Sequence, residues 1–420
     1  MKRVCILGLG HIGLPTAILV AQSGYQVIGV DTDEDIVKML NNGVSHLQEA
    51  GIDILLKDVP PGNLYAKKEP EEADAYIIAV PTPFDKDTKQ ADLKCVISAM
   101  HMISPFLRDY AIVIVESTIP PGVSERVLVP LLETTGLKSG KDFDLVYCPE
   151  RAMPSNLVNE MVYNDRIIGA PNKRSANAAK TLYSSFVKGA IHVTTVRTAE
   201  MCKVIENVYR DVNIALANEL ALVAEDIQID IWQAIELANK HPRVNILRPG
   251  PGVGGHCIAV DPWFLSSGST PTDLIRAARR INERMPDHVI AMVKQIVNTD
   301  PPNIAVFGIA YKGNVDDYRE SPSLRIIELA EDKRWGVKIY DPVVKKTPKY
   351  PLLELEEAVR DSDCIIIATD HDLFSNIDPV AIGPLMRQKN VIDTRNILDK
   401  ETWQKAGFTH RLLGRGTKLC

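Results

Sequence analysis

The chain has 420 residues, more than a single hydrophobic core usually serves, so we expect two or three domains. Its 45% hydrophobic and 24% charged residues are typical of a soluble globular protein, and a formal net charge of -6 gives no reason to expect a nucleic-acid partner. We find no apolar run of membrane-spanning length and no signal peptide, so we expect a cytoplasmic protein. The seven scattered cysteines include no Cys-x-x-Cys pair, which favours reduced thiols and predicts no structural metal.

The opening of the chain carries a dinucleotide-binding pattern. A short apolar strand, Val4–Leu7, runs into Gly-Leu-Gly-His-Ile-Gly (8–13) and then into a helix that extends to about Ser23. A second strand over 25–30 ends at Asp31. Strand, glycine turn, helix, strand and acid in this order predict a Rossmann fold that binds a dinucleotide.

Each glycine of this turn has its own role. Gly8 makes the tight turn, Gly10 lets the backbone approach the pyrophosphate, and Gly13 lets the helix pack against the strand. Asp31 stands eighteen residues after Gly13, where its carboxylate can accept hydrogen bonds from the ribose hydroxyls. No arginine follows it in 32–35 to receive a 2′-phosphate, so we predict NAD rather than NADP.

Three more predicted strands end in polar residues. The strands 75–80, 111–115 and 145–147 alternate with helical stretches, which predicts a doubly wound parallel sheet with ligands at the carboxyl ends of its strands. The polar residues just past these ends are Thr82, Ser117, Thr118, Glu150 and Arg151. They are candidates for ligand contacts, and the alternative is ordinary turn chemistry with Ser and Thr as helix caps.

The middle of the chain contains two long helical stretches, 198–227 and 273–298. On the first, an apolar stripe lies beside a polar stripe at steps of three and four residues. The polar residues are Glu200, Lys203, Asn207 and Arg210. Such a face is usually solvated, but here 214–222 is apolar on most sides, so we expect a buried helix whose polar groups need partners, such as an anionic substrate. Long central helices commonly link domains or pair subunits.

Between these helices lies a loop around Cys257. Four glycines fall within 250–255, and prolines stiffen both its entry and its exit at Pro262. A cysteine on a rigid loop that lets a ligand approach, with Asp261 four residues later, is a candidate nucleophile. The alternative is a tight turn that ends in a small buried residue, since cysteines are often found in cores.

The last third of the chain repeats the opening pattern without the full glycine fingerprint. A strand over 303–307 is followed by a helix over 323–335 and a strand over 337–340 that ends at Asp341. We interpret this as a second nucleotide-binding α/β domain that holds a different nucleotide. The charged loop 316–322 has the composition of an ordinary solvated turn.

Short motifs along the whole chain resemble those of the UDP-glucose/GDP-mannose dehydrogenase family. They are Gly-Leu-Gly-His-Ile-Gly-Leu-Pro (8–15), Val-Pro-Thr-Pro (80–83), Glu-Ser-Thr (116–118), Cys-Pro-Glu-Arg (148–151), Thr-Ala-Glu-Met-Cys-Lys (198–203), Glu-Asn (206–207), Asn-Glu-Leu (218–220), Gly-Gly-His-Cys (254–257), Asp-Pro (261–262) and Arg-Glu-Ser-Pro (319–322). Pro154-Ser155-Asn156 departs from the Pro-Gly of many relatives, which we expect to change this loop and not the chemistry.

The resemblance implies an α/β fold with two Rossmann-like doubly wound parallel-sheet domains joined by a long central helix. We expect an NAD-binding domain over 1–195, a central helical and dimerisation domain with the cysteine loop over 196–298, and a UDP-sugar-binding domain over 299–420. A homodimer or a larger homo-oligomer is implied as well.

The resemblance further implies a four-electron oxidation of a nucleotide sugar at C6, from alcohol to carboxylate, with two NAD reduced and the aldehyde retained. Cys257 would attack the aldehyde to form a thiohemiacetal, whose oxidation gives a thioester that water hydrolyses. The cysteine must be a thiolate to react, and Lys203 and His256 would favour that form.

The remaining catalytic roles follow from the same resemblance. Lys203 and Asn207 would stabilise the oxyanions, and Lys203 would also move protons. Asp261 and Glu150 are the acid–base candidates that orient water, and Thr118 would lie near the nicotinamide.

The resemblance also implies the binding residues. The cofactor contacts would be Gly8, Gly10, His11, Ile12, Gly13, Asp31, Thr82, Thr118 and Arg319. The contacts to the UDP-sugar would be Arg151, Ala152, Lys203, Asn207, Arg210, His241, Arg243, Gly254, Tyr311 and Lys312. We expect Arg243 to reach in from a neighbouring subunit.

Two segments bear on the sugar. His-Pro-Arg-Val-Asn-Ile-Leu (241–247) and Cys-Ile-Ala-Val-Asp-Pro-Trp-Phe (257–264) favour family members that oxidise UDP-N-acetyl-D-mannosamine. Members that act on UDP-N-acetylglucosamine, UDP-glucose or GDP-mannose are the alternative, because a single misplaced hydroxyl changes only a few contacts. A catalytically silent NAD-binding regulator is a third hypothesis, and a two-electron hydroxyacid dehydrogenase, which needs no cysteine loop, is the last.

Overall fold

The computed structural model describes residues 1–47, 49, 51–85, 87–153, 156–347 and 349–416, so the departure predicted at Pro154-Ser155 lies outside the described residues. The chain forms two compact units. The first comprises Met1–Glu206 and Trp263–Thr270, and the second comprises Asn207–Pro262 and the chain from Pro271 onward. Within the described ranges, no helix is both long and apolar enough to cross a membrane.

An eight-stranded sheet forms the centre of the first unit. The strands of this unit are β1 (Arg3–Leu7), β2 (Gln26–Val30), β3 (Leu64–Lys67), β4 (Ala75–Ile78), β5 (Phe84–Asp85), β6 (Gln90–Ala91), β7 (Ala111–Val115), β8 (Phe143–Tyr147), β9 (Arg166–Gly169) and β10 (Ile191–Thr194). The order in the sheet is β10-β9-β8-β7-β4-β1-β2-β3, and β5 and β6 form a separate pair. Within the eight-stranded sheet, neighbouring strands are parallel except β8 and β9, which meet antiparallel at Tyr147 and Gly169; β5 and β6 are also antiparallel.

Helices cover both faces of this sheet. They are α1 (Gly13–Gln22), α2 (Glu34–Asn41), α3 (Ile52–Lys57), α4 (Lys94–Ile103), α5 (Val129–Glu133), α6 (Leu157–Tyr163), α7 (Lys173–Tyr183) and the start of α8 (Val196–Asp226), with a 3-10 turn at Ser104–Phe106 and a π-helical segment at Ser124–Leu128. Alternate residues of β1 belong to different apolar clusters: Val4 and Ile6 pack in one, Cys5 and Leu7 in the other. A strand buried on both faces is continuously apolar, as in other doubly wound sheets.

The second unit contains a five-stranded parallel sheet. Its strands are β11 (Asn303–Phe307), β12 (Gly336–Tyr340), β13 (Cys364–Ile367), β14 (Asn390–Asp393) and β15 (Thr409–Leu412), in the order β12-β11-β13-β14-β15. The remaining helices are α9 (Ile231–Ala238), α10 (Asp261–Ser266), α11 (Asp273–Ile296), α12 (Pro322–Asp332), α13 (Leu355–Val359), α14 (Pro379–Ile382) and α15 (Lys400–Lys405), with 3-10 turns at Asp372–Asn376 and Gly383–Leu385. The predicted α/β fold class, with two domains built on parallel sheets, is therefore confirmed. The chain passes from the first unit into the second within α8.

The helix predicted over 323–335 ends earlier than expected. It stops at Asp332, because Arg334 adopts a left-handed backbone with φ of 59°. The amide of Trp335 then turns back to donate to the carbonyl of Ala330 at 3.0 Å, a common way to end a helix.

Candidate active site

The glycine turn after β1 is built as the dinucleotide pattern predicts. Gly8 has φ of 88°, and a Cβ there would lie 2.6 Å from the carbonyl oxygen of Ala79. A Cβ on Gly13 would lie 1.7 Å from the Gly8 oxygen, so helix and turn pack too closely for any side chain. A Cβ on Gly10 would meet nothing within 4 Å. Gly8 and Gly13 are thus required by the fold, whereas the space beside Gly10 is open to a ligand.

The polar groups around this turn fit a dinucleotide. The N-terminus of α1, at Ile12, has no side-chain cap and no acidic residue in its first turn, which leaves its dipole available to a phosphate. Asp31 accepts the amide of Leu9 at 2.9 Å and that of Asp33 at 3.0 Å, so its carboxylate is held beside the turn. The hydroxyl of Thr82 is buried without a hydrogen-bond partner among the described residues, so it keeps the capacity to bond to a ligand.

The residues after β7 have two different roles. The Ser117 hydroxyl donates to the carbonyls of Val80 at 2.7 Å and Ile78 at 3.2 Å. Ser117 therefore ties the ends of β4 and β7 together, which is a structural role but not the helix cap that the sequence suggested. Thr118, the next residue, is half-buried at the same end of the sheet.

Glu150 follows β8 and is oriented by two sets of contacts. Its Oε1 accepts the amides of Arg151 at 2.7 Å and Ala152 at 2.9 Å. Its Oε2 forms an ion pair with Arg166 at 2.7 Å but accepts no hydrogen bond from any described residue. The Oε2 atom therefore retains the capacity to accept a proton or a hydrogen bond from water or substrate. The Arg151 side chain forms an ion pair with Glu206 at 2.6 Å.

A buried polar cluster beside Glu150 was not predicted from the sequence. Glu116 accepts hydrogen bonds from the Tyr183 hydroxyl at 2.7 Å and from the Thr16 hydroxyl at 3.2 Å. Its Oε1 lies 3.7 Å from a guanidinium nitrogen of Arg166. Burial raises the pKa of Glu116 to about 7 against the opposing charge of Arg166, and the neighbouring Glu150 adds to the rise.

The first polar residue of α8 serves the fold. The carboxylate of Glu200 is buried and accepts the backbone amides of Gly122 and of Ser124, the latter at 2.9 Å. Its partners are therefore protein amides at the start of the π-helical segment, and it does not need a substrate. Lys203, one turn further along α8, is half-buried in the first unit.

In the second unit, the structure brings together three of the predicted catalytic residues. The amide of Asp261 donates to the carbonyl of Cys257 at 2.9 Å, so one helical turn separates the exposed cysteine from the start of α10. The buried Asp261 carboxylate accepts a hydrogen bond from the side-chain amide of Asn207 at 2.6 Å. A carboxylate and an amide are thus fixed to each other one turn of backbone after the candidate nucleophile.

The glycines before Cys257 let its loop pack against the segment that precedes α12. A Cβ on Gly254 would lie 2.6 Å from the carbonyl oxygen of Glu320 and 2.8 Å from the ring of Pro322. Gly255 has φ of 78°, and a Cβ there would lie 3.1 Å from the ring of Tyr311. The loop therefore needs glycine for its contacts with the polypeptide itself.

This contact changes the interpretation of the loop 316–322 as an ordinary solvated turn. Arg319 donates from Nε at 2.9 Å and from Nη2 at 2.7 Å to the carboxylate of Asp317. Burial opposes ionisation of Asp317, but these hydrogen bonds prevail and lower its pKa. The pKa of the Tyr311 phenol is raised by burial and by the charges of Asp317 and Cys257.

The entry to the cysteine loop is anchored to two long helices. The amide of Gly250 donates to the side chain of Asn218 on α8 at 2.8 Å, and Asn218 donates to Asn282 on α11 at 2.9 Å. Asn282 and Arg279 both donate to the buried carboxylate of Asp211, at 2.8 and 2.7 Å. The sequence indicated a buried helix around 214–222 but not this network, which requires residues that are far apart in the chain.

The acid after β12 differs from its counterpart Asp31. Asp341 is buried and accepts a hydrogen bond from the ring of His371 at 3.2 Å and from four backbone amides. The amides belong to Ile309, Ala310, Val343 and Val344. With its oxygens occupied, Asp341 has no capacity left for ribose hydroxyls, which agrees with the prediction that this domain holds a different nucleotide.

One cation at the carboxyl end of this sheet was not predicted from the sequence. Arg395 follows β14, and its Nε donates to the carbonyl of Ala368 at 3.1 Å. Its guanidinium lies against Gly250, where an added Cβ would be 2.9 Å from Nη1. Burial lowers its pKa. A signal existed, because Asp393-Thr394-Arg395 is a polar group just past a strand end, the pattern that pointed to Thr82 and Glu150 in the first unit.

The other predicted substrate residues are mostly exposed. Arg210, His241, Arg243 and Lys312 present their side chains to solvent, and the amide of Arg243 donates to His241 Nδ1 at 3.3 Å. Within the described residues, no group of three or more His, Cys, Asp or Glu side chains could hold a metal ion.

Comparison with known proteins gives the family. Three family profiles match the chain in order: the NAD binding domain of the UDP-glucose/GDP-mannose dehydrogenase family over 2–187, its central domain over 197–284 and its UDP binding domain over 305–400. The chain belongs to this family. The resemblance stated from its motifs is confirmed, and NAD is its cofactor.

Several members of the family are similar along their whole length. UDP-N-acetyl-D-mannosamine dehydrogenase of Methanococcus aeolicus is 47% identical over 99% of this chain and 96% of its own. The solved UDP-D-ManNAc dehydrogenase of Pyrococcus horikoshii is 44% identical, covers 99% of this chain and 100% of its own, and has a TM-score of 0.91. NDP-N-acetyl-D-galactosaminuronic acid dehydrogenase of Ralstonia solanacearum is 42% identical over 94% of this chain and 96% of its own.

Proposed function

We propose that this protein oxidises the C6 alcohol of UDP-N-acetyl-D-mannosamine to the carboxylate, with NAD as the acceptor. The observation that carries the proposal is full-length similarity, at 44–47% identity, to proteins named for that sugar. The arrangement of Cys257, Asp261 and Asn207 supports the four-electron reaction, because a two-electron dehydrogenase needs no such cysteine.

The overall reaction converts one sugar alcohol, two NAD⁺ and one water into one carboxylate, two NADH and three protons. Bound NAD supplies the hydride acceptor for each of the two oxidations. Between them, the Cys257 sulfur adds to the C6 aldehyde and forms a thiohemiacetal. Loss of the second hydride from C6 leaves a thioester, and attack by water breaks the carbon–sulfur bond and releases the acid.

The residues of this chain would move the protons and stabilise the charge. Lys203 and Asn207 would donate to the oxygen on C6 as it becomes an oxyanion, a type of contact that contributes about 3–4 kcal/mol to catalysis. Asp261, already hydrogen-bonded to Asn207, and Glu150, through its Oε2, would accept protons from the alcohol and from water. Thr118 would lie near the nicotinamide.

We assign the cofactor contacts to the open turn after β1, to the residues near it, and to Arg319. The turn provides Gly8, Gly10, His11, Ile12 and Gly13, while Asp31, Thr82 and Thr118 would contact the ribose and nicotinamide side. The support is the uncapped N-terminus of α1 and the buried, unpartnered Thr82 hydroxyl. Arg319 would reach the cofactor from the loop before α12.

We assign the UDP-sugar to a largely basic set of residues. The assigned contacts are Arg151, Ala152, Lys203, Asn207, Arg210, His241, Gly254, Tyr311 and Lys312, with Arg243 supplied by a neighbouring subunit. We add Arg395, whose guanidinium is held beside Gly250 and suits an anionic diphosphate. The UDP binding domain over 305–400 includes this arginine.

We further propose a cytoplasmic homodimer with the three domains expected from the sequence, over 1–195, 196–298 and 299–420. Along the second-unit part of α8, Tyr209, Leu216 and Val223 recur every seven residues and are 61%, 44% and 46% exposed. An exposed apolar row at this spacing suits helix pairing between two copies of the chain.

A second candidate substrate is a galacto-configured sugar, because a relative named for N-acetyl-D-galactosaminuronic acid is 42% identical. The test is NADH formation with UDP-N-acetyl-D-mannosamine, its gluco and galacto isomers, UDP-glucose and GDP-mannose. We expect the manno sugar to have a kcat/KM at least about tenfold above the others. A preference for another sugar would overturn the substrate, and no NADH with any sugar would favour the silent regulator.

A further inference from the structure

The cluster beside Glu150 joins three functional parts of the first unit. Arg166 at the start of β9 lies between the carboxylates of Glu150 and Glu116, at 2.7 and 3.7 Å. Glu116 directly precedes Ser117-Thr118. It also accepts a hydrogen bond from Thr16, which lies on α1, the helix that begins at the dinucleotide turn.

The charges in this cluster do not balance. Two carboxylates face one guanidinium, and the side chains of both Glu116 and Arg166 are at most 4% exposed. Burying a net negative charge is costly, so one carboxylate retains a proton near neutral pH. The groups that face Glu116 are Arg166 from β9, Tyr183 from α7, Thr16 from α1, and Cys148 and Glu150 from the segment after β8. Of its acidic neighbours, Cys148 and Tyr183 hold their own protons, because burial raises the pKa of the thiol to about 12 and that of the phenol well above its usual value.

We propose that Arg166 and Glu116 are positioning residues for Glu150, and that the proton on Glu116 controls how strongly Arg166 holds it. When Glu116 is protonated and neutral, the Arg166 guanidinium forms an ion pair with Glu150 only. Once Glu116 is ionised, Arg166 is shared, the ion pair with Glu150 weakens, and the Glu150 Oε2 accepts a proton more readily. The proposal rests on the proposed role of Glu150 as a proton acceptor.

The arrangement explains a feature that a purely structural ion pair does not. The Glu150 Oε1 is fixed by two amides, whereas its Oε2 touches Arg166 without a hydrogen bond. A pair that served stability alone would be expected to align for a hydrogen bond, because charge-assisted hydrogen bonds are the strong ones. Here the guanidinium orients Oε2 and leaves its lone pair available.

The test compares the pH dependence of kcat and the KM for NAD in four variants of the full-length enzyme, with the best sugar of the substrate panel. The variants are Glu116→Gln, Arg166→Lys, Arg166→Met and, as a matched control, Asp144→Asn. Asp144 is a buried carboxylate on β8 that pairs with Arg174 at 2.8 Å, away from the strand end that carries Glu150.

We expect kcat of the parent enzyme to rise between pH 6 and 8 with a midpoint near 7, and Glu116→Gln to lose this rise. Arg166→Met removes the cation that orients the Glu150 Oε2, so it should lower kcat about 100-fold and leave the KM for NAD within twofold. Arg166→Lys keeps a cation there and should recover at least a factor of ten in kcat. Asp144→Asn should keep the parent profile. If Arg166→Met does not fold, the pH profiles of Glu116→Gln and Arg166→Lys, compared with that of Asp144→Asn, still test the proposal.

The outcomes separate this proposal from the proposed function. An active enzyme whose Glu116→Gln profile superimposes on the parent profile would overturn the positioning role alone. Equal losses with Arg166→Lys and Arg166→Met in both kcat and KM would indicate a structural pair and overturn it too. An absence of NADH with every sugar of the panel would overturn the proposed function, and this proposal with it.

Discussion

Replacing Glu116 with Gln should change the pH dependence of stability in a predictable direction. Burial raises the pKa of this carboxyl from 4.5 to about 7, so the folded protein holds the proton more tightly than the unfolded chain. The stabilisation from this proton is fully present below pH 4.5 and is lost as pH rises to 7. Each pKa unit corresponds to about 1.4 kcal/mol, so the ionisable side chain should lower the free energy of unfolding by about 3 kcal/mol over this range.

The glutamine variant has no such dependence, because its amide does not titrate. Its carbonyl oxygen can accept from the Tyr183 hydroxyl, and its NH2 group can donate to the Thr16 hydroxyl oxygen, so both contacts have a replacement. The free energy of unfolding of the variant minus that of the parent should therefore grow by about 2–3 kcal/mol between pH 5 and 8. Subtracting the two proteins removes contributions from every other titrating group that the substitution leaves unchanged.

The assay is guanidinium denaturation at pH 5, 6, 7 and 8, followed by far-ultraviolet circular dichroism. Since the two units can unfold separately, the transition of the first unit is identified by its shift when NAD is added. A difference that stays constant across this pH range would refute the reasoning, because Glu116 would then not change its ionisation there.

Three further predictions concern binding. Gly10→Ala should weaken NAD binding in a fluorescence titration but keep the parent melting temperature, because its Cβ meets no protein atom. Gly13→Ala should lower both the affinity for NAD and the melting temperature, because its Cβ meets the backbone of Gly8. Equal effects of the two substitutions would contradict these separate roles. Asp317→Asn weakens the hydrogen bonds that hold Arg319, so it should raise the KM for NAD roughly tenfold and the KM for the sugar by less. An unchanged KM for NAD would show that Arg319 does not contact the cofactor. Arg395→Met should raise the KM for the UDP-sugar at least about tenfold at constant KM for NAD, and Arg395→Lys should raise it by a smaller factor. Parent-like values of kcat and KM in Arg395→Met would exclude contact between Arg395 and the diphosphate.

The sequence could predict those parts of the fold and site that depend on local patterns. The strand before Gly8, the turn and Asp31 stand within one short segment, and each residue has a role that its type alone suggests. The strand 303–307 was predicted at its observed bounds because it is apolar and lies between turn residues. Short strands such as β9 and β10 were missed, because four residues with a charged or polar member carry no clear alternation.

The contacts that organise the site could not be predicted, since they join distant residues. Nothing local marks Arg166 as the partner of two carboxylates, because an arginine at a strand start is usually solvated. Asp317 belongs to a segment of ordinary turn composition, and the two hydrogen bonds that it accepts from Arg319 are visible only in the structure. Asn218 gave a motif match, but its bond to Gly250 depends on how α8 packs against the cysteine loop within the second unit.

The central claim is that Cys257 makes a four-electron oxidation possible. The most direct test is the number of NADH formed per molecule of UDP-N-acetyl-D-mannosamine consumed, for the parent enzyme and for Cys257→Ala. We predict about two NADH per sugar for the parent and fewer than two for the variant, with the aldehyde trapped by an added hydrazine. One NADH per sugar for the parent, or two for the variant, would contradict the account.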